Sequence, residues 1–290
     1  MSDIAKKEKI ITSSYDKFIE SIDKVQGDIL KAILSFLKSN SNEKPTKSTL
    51  SKINKELKKI ITPESFRDPV TKLLKDFDAV EEISKKILSG EINEDLSNFD
   101  VGPEKQLEID RITKGLLNDD ALDANLKQEL RKILYRYVTT NINLEVAEQK
   151  IKTFVTGDEK TDGFAKRYAK VLAIESLSRF DGSINQKVAT TYKLDGFRIV
   201  GSLIITSQPQ CEEMVKMNGR LGKFAVNGKY AVEDLPEIIA LLKKYYPGVN
   251  RDLSVENYFE LRNHWGCRHQ FIPTRLLERD KEALRKRGEI

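Results

Sequence analysis

Phe197-Arg198-Ile199-Val200-Gly201-Ser202-Leu203-Ile204-Ile205-Thr206 is the stretch on which the fold class turns. Phe197, Ile199, Leu203 and Ile205 alternate with Arg198, Ser202 and Thr206, the two-residue period of a strand with one face in a core. No other stretch of the chain reads so clearly as a strand. Ser207-Gln208-Pro209-Gln210 stops the run, and a short helix is expected from Cys211. Asn218-Gly219 and Asn227-Gly228 are tight-turn dipeptides that bracket a small second strand, Lys223-Phe224-Ala225-Val226. An amphipathic helix follows over 232–245 through Leu235, Ile238, Ile239, Leu242 and Tyr245, and Pro247-Gly248 ends it.

Upstream of the strand the apolar period is helical. Over residues 2–39, Phe18, Ile22, Val25, Ile29, Ile33 and Phe36 recur at three- and four-residue steps and stack on one face. The polar run from Ser39 to Pro45 breaks this helix, and a second covers 46–61. Thr62 and Pro63 open a third as N-cap and first helical residue. It is expected to stop at Asp68-Pro69 and resume through Leu73, Leu74, Phe77, Val80, Ile83 and Ile87. After a polar connector over 90–103, two more helical stretches carry Leu107, Ile109, Ile112, Leu116 and Leu117, then Leu126, Leu130, Ile133, Leu134, Tyr137 and Val138.

These stripes suit a bundle core. The long first helix is expected to leave part of its stripe for another protein. Near Gly157-Asp158-Glu159 the character changes. A helix over 161–178, a turn at Asp181-Gly182 and a short helix from Ile184-Asn185 to Tyr192 lead into the main strand. The fold class is therefore α+β: a mostly helical region over 1–155, a small mixed α+β domain over 156–275 and a charged tail over 276–290, expected as either a charged helix or a frayed end.

The 290 residues are one third charged and 39% hydrophobic, with basic and acidic groups almost balanced at a net +5. The charges are interspersed, which favours a solvated helical surface over a nucleic-acid-binding tail. No apolar run approaches the ~18 residues of a membrane span, and Met1 to Lys7 lead into no signal-type apolar segment. Two cysteines make no disulfide framework, so a reducing compartment is the expectation. Neither a Gly-x-Gly-x-x-Gly or Walker-type loop nor a His-Glu-x-x-His pattern occurs.

The scarce residue types gather near the C-terminus, in Arg262-Asn263-His264-Trp265-Gly266-Cys267-Arg268-His269-Gln270-Phe271-Ile272-Pro273. Both histidines, the one tryptophan and one of the two cysteines lie here; the other cysteine is Cys211. On a strand, Cys267 and His269 share a face. With Cys211 and His264 they would make a tetrahedral Cys₂His₂ zinc set, although the spacing lacks a Cys-x₂₋₄-Cys knuckle. A Cys–His pair for acyl transfer is a second reading. The third makes the cysteines small buried plugs and His269 a hydrogen-bonded core residue, with no cofactor. Arg262, with its bidentate fork, is expected to clamp a carboxylate, Glu175 or Asp181, or else to be solvated at the surface.

The run Glu175-Ser-Leu-Ser-Arg-Phe-Asp-Gly182-Ser-Ile-Asn185-Gln, the strand from Phe197, Thr206-Ser-Gln-Pro-Gln-Cys211, and Arg262 followed by Cys267-Arg-His-Gln-Phe-Ile-Pro273 together resemble one family. It is the phage Mu F-like family of minor head, or head morphogenesis, proteins of tailed bacteriophages. The resemblance covers about residues 160–275, with Gln208 where the family usually has arginine and Asn263-His264 in place of a glycine pair.

It implies a non-catalytic minor capsid protein, assembled in the host cytoplasm and carried in the virion, in the capsid interior or at the portal vertex. Such a protein would assist head assembly and DNA packaging or ejection. Its partners would be the portal protein and the major capsid or scaffold protein, with non-specific contact to packaged DNA. Cys211, Cys267, His269, Trp265 and Arg262, with Asn185 of the motif, would tie the terminal strand to the central one. The alternatives are a DNA-associated cargo protein and a metal- or cysteine-dependent hydrolase injected with the genome.

Overall fold

The computed structural model describes residues 2–39, 47–62, 64–117, 122–139, 143–201, 207–262 and 269–288. Among these residues it is mostly helical, with one small antiparallel sheet. The helices before the sheet are α1 (Asp3–Ser39), α2 (Lys47–Ile60), α3 (Glu64–Ile92), α4 (Gly102–Leu117), α5 (Leu122–Thr139), α6 (Leu144–Thr156) and α7 (Phe164–Thr191). Then come β1 (Gly196–Val200), α8 (Pro209–Lys216), α9 (Gly219–Gly222), β2 (Tyr230–Ala231), α10 (Leu235–Tyr245), α11 (Tyr258–Leu261), β3 (Gln270–Thr274) and α12 (Glu278–Gly288).

The chain forms two compact units, and each is built from separated segments. A sheet unit comprises residues 1–11, 77–108 and 175–290; a helical unit comprises 12–76 and 109–174. A single cut near residue 155 therefore does not describe the chain, because the expected N-terminal region contributes segments to both units. The reason is physical: the C-terminal strands are too few to bury themselves, and helical segments far upstream in sequence complete their core.

In the helical unit, the stripe of α1 is buried at Phe18, Ile22, Ile29, Ile33 and Leu37. Val25 and Phe36 of the same stripe are half-buried, so most of the stripe is covered within the chain. α2 packs on α5, and α5 on α6. The core adds Ile53, Leu57, Leu126, Leu130, Leu134, Ile151 and Val155. α6, which hydrophobic spacing alone did not single out, starts where the Asn143 side chain accepts the Glu145 N–H at 2.6 Å. It ends at Gly157, whose φ of +84° and closeness to the Thr161 carbonyl exclude a side chain. α3 runs unbroken through Pro69. Its ring costs one backbone hydrogen bond near the helix start, and burial of Phe66, Val70 and Leu73 around it holds the helix together.

In the sheet unit, β1 is the central strand, with β2 and β3 antiparallel on either side. Phe197 and Ile199 are buried and Arg198 only partly so, as alternation requires. Phe197 stacks on Tyr230 at 5.3 Å and meets the edges of Tyr258 and Phe259, each at 5.6 Å. Pro273 lies opposite Phe197 on the edge strand β3, where a missing N–H is tolerated. Residues 202–206, the second half of the expected strand, lie outside the described residues.

One local expectation changes. Residues 223–226 form a turn and one isolated bridge, Val226↔Lys229, rather than a strand. Asn227 and Gly228 close that bridge with φ of 50° and 80°, the geometry of a tight hairpin turn. Of the two forms expected for the charged C-terminal stretch, the helix is found as α12, and Leu284 and Leu276 pack with Ala231. Asp280 is buried against Lys229 at 3.0 Å and the Asn227 amide at 3.0 Å.

Candidate functional site

Asp181 was expected at a turn, and it lies instead inside α7, a helix continuous through Asp181-Gly182. Its carboxylate is fully buried in the sheet unit and collects three donors from three other segments. Lys7 of α1 donates from Nζ to Oδ1 at 2.6 Å, and Ser84 of α3 donates to the same oxygen at 2.7 Å. Arg262, just past α11, donates to Oδ2 at 3.0 Å. The same guanidinium also reaches the carbonyls of Ser178 at 2.7 Å and His269 at 3.0 Å. The carboxylate clamp expected of Arg262 is present, with Asp181 as its partner.

Two cations on one buried carboxylate leave an excess positive charge, which the two carbonyl dipoles partly offset. Burial opposes the charge on Asp181, but the charges of Lys7 and Arg262 and the hydrogen bonds from Lys7 and Ser84 outweigh it. The carboxyl is held below its ordinary range. Burial, reinforced by the Arg262 charge, pushes Lys7 below the usual lysine value against the attraction of Asp181. Arg262 itself has φ +58°, an uncommon conformation for a residue with a Cβ, and its hydrogen bonds hold it there.

The next turns of α7 continue the clasp. A Cβ on Gly182 would fall 2.3 Å from the Phe259 carbonyl oxygen and 2.7 Å from Cα of Glu260, so this glycine permits helix and chain to touch rather than turning the chain. Asn185 donates to the Phe271 carbonyl of β3 at 3.1 Å, and the Gln186 side chain accepts the Phe259 N–H at 3.3 Å. Motif residues 181, 182, 185 and 262 thus converge with the His269 carbonyl on one buried junction between α7, α11 and β3.

Cys211 is buried on α8 and His269 is buried immediately before β3. His264, Trp265 and Cys267 lie outside the described residues, and with them the proposed Cys₂His₂ set. Among the described residues no group of three or more His, Cys, Asp or Glu side chains is placed to hold a metal, and no helix is long and apolar enough to cross a membrane.

Lys7 and Ser84 were missed from sequence. Lys7 carries a faint signal, because the buried positions Ser14, Phe18 and Ile22 lead back along α1 to it at helical steps. Ser84 carries none.

A groove of about 670 Å³ in the same unit is lined by Asp78, Glu81, Lys85, Ser89 and Lys105, among others. Its charges neutralise one another: Lys85 meets Glu81 at 2.8 Å, and Lys105 meets both Glu81 and Asp78. Comparison with models of known protein families, with curated proteins and with solved structures finds no match to this chain.

Proposed function

We propose that the chain is a minor head protein of a tailed bacteriophage. It would be held in the capsid interior or at the portal vertex by the portal, major capsid or scaffold protein, and would assist head assembly and DNA packaging or ejection. The observation that supports this reading is the convergence of Asp181, Gly182, Asn185 and Arg262 on one solvent-free junction. Residues recurring for packing rather than chemistry suit an assembly protein. In this reading the chain is not a catalyst and requires no cofactor. Cys211, 1% exposed, is no accessible nucleophile; Cys267, the cysteine of the acyl-transfer alternative, lies outside the described residues.

The test is quantitative mass spectrometry of DNA-filled particles purified on a density gradient from a producing culture. The expected result is this chain at a few copies per particle, cross-linking to the portal or to the major capsid or scaffold protein. Recovery only in the unassembled fraction would sink the proposal.

A further inference from the structure

The surface around α9 and the end of α10 in the sheet unit carries cations that form no ion pair among the described residues. α10 ends on Lys243, Lys244 and Tyr245, all exposed. From α9, the Arg220 guanidinium lies 4.5 Å from the centre of the Tyr245 ring, and the Lys244 ammonium lies 5.0 Å from it. Among the described residues, none of Arg220, Lys243 and Lys244 forms an ion pair, whereas Lys7, Lys85, Lys105 and Lys229 of the same unit are all matched to acids.

The neighbouring acid, Glu213, lies beside the Tyr246 hydroxyl, as Arg220 does, and offsets part of the Arg220 charge. Its carboxylate accepts the Leu221 N–H at 3.0 Å and lies where only a glycine, Gly219, leaves it space. Flanking Lys216 and Lys223 are paired loosely, to Glu212 at 3.6 Å and to Glu237 at 3.4 Å. The Lys244 ammonium, by hydrogen bond and by charge, and the Arg220 charge hold the Tyr245 hydroxyl below its ordinary pKa, as a positive local field requires.

We propose that this surface binds single-stranded nucleic acid, with Arg220 and Lys244 beside Tyr245, and Lys243 on the opposite flank of α10, on successive backbone phosphates and Tyr245 against an unpaired base. Cations that form no ion pair answer to a polyanion. The exposed aromatic among them selects the strand: a duplex keeps its bases stacked inside, and an acidic peptide has no flat ring to lay on tyrosine. The inference does not rest on the head-protein reading, and either can fail alone.

The test is fluorescence anisotropy of the full chain with a labelled oligodeoxythymidine, with a duplex of equal length, polyglutamate and anionic vesicles as competitors. Three phosphate contacts on a single strand predict a loss of about 20-fold in affinity between 50 and 200 mM salt. Replacing Arg220, Lys243 and Lys244 together by Gln should remove most of that salt dependence. Tyr245→Leu should keep the salt slope and weaken binding by about fivefold or more. All four side chains are exposed, so unchanged melts should accompany both variants. Absence of binding at 50 mM salt overturns the proposal. So do variants that bind as the wild type does, or stronger competition by duplex, polyglutamate or vesicles than by unlabelled single strand.

Discussion

The two units solve the same problem with different chemistry. The helical unit is filled by aliphatic stripes, and its polar ties lie near the surface: Lys166 pairs with Asp23 at 2.8 Å, both partly exposed. The sheet unit places a three-charge cluster, 4% exposed at most, at its centre beside packed aromatic rings. Aliphatic faces accept many near-equivalent arrangements. A buried carboxylate flanked by two cations accepts one, because any other pairing strands a charge in the interior. Residues 7, 84, 181 and 262 are far apart in the chain, so the cluster gathers four segments whose apolar contacts alone would specify their register less tightly. If that contrast is right, the sheet unit is brittle toward single changes at the cluster and the helical unit is forgiving.

The largest effect should come from removing whole segments. A fragment of residues 160–290 retains Asp181 and Arg262 but lacks Lys7, Ser84 and the buried Phe77, whose ring lies 5.1 Å from Phe180. It should show no cooperative melt by circular dichroism, and a sharp transition would mean that the upstream segments are dispensable. Next is Asp181→Ala, which leaves Lys7 and Arg262 buried together without an anion. The expected cost is about 3–5 kcal/mol in chemical denaturation. Lys7→Met keeps the Arg262–Asp181 bond and removes the surplus cation, so it should cost less. Equal costs for the two would break the argument for a cluster.

A smaller loss, about 1–3 kcal/mol, is expected for Gly182→Ala, since the new methyl meets backbone that must move. A neutral result would show that α7 and α11 can separate freely.

Acid should find the cluster as well. The Asp181 carboxyl is depressed in the folded chain, so its contribution is present above the ordinary aspartate value of 3.8 and is lost as pH falls through the folded value. Lys7 is also depressed, so its contribution falls as pH drops from the ordinary lysine value of 10.5 to the folded value and is constant below that. Denaturation midpoints measured from pH 6 downward should therefore drop steeply below about pH 4. Asp181→Asn should flatten that limb; an unchanged limb would assign the acid sensitivity to other groups.

What could be read from sequence followed the range of the forces involved. Periodicity is local, so α1, α2, α5 and α10 and the first half of the main strand were legible. Asp181-Gly182 was not, because the dipeptide favours a turn by its intrinsic preference. Only Lys7, Ser84 and Arg262, none of them near in sequence, make its burial inside a helix favourable. Pro69 misled in the same way: a local rule was overridden by the burial of Phe66 and Val70. The two-residue β2 was invisible because its pairing with Gly196 and Phe197, not its own pattern, defines it. The clamp made by Arg262 was legible as chemistry. Its excess of positive charge was not, since nothing marks Lys7 apart from the many solvated lysines of the chain except its place on a buried stripe.

The smallest effects belong to the helical unit, and they carry the other half of the comparison. Ile33 is 1% exposed in an aliphatic setting, so Ile33→Leu keeps volume and asks only for repacking. It should cost under about 1.5 kcal/mol. Lys132 pairs with Glu129 at 2.6 Å, but with 58% and 41% of the two side chains exposed. Lys132→Ala should therefore change stability by less than about 1 kcal/mol, and by still less at high salt. Urea titrations of both variants beside Asp181→Ala make the test direct. If either helical-unit change matched the aspartate in cost, the helical unit would be as tightly specified as the sheet unit, and the distinction between a stripe and a charge cluster would lose its physical basis.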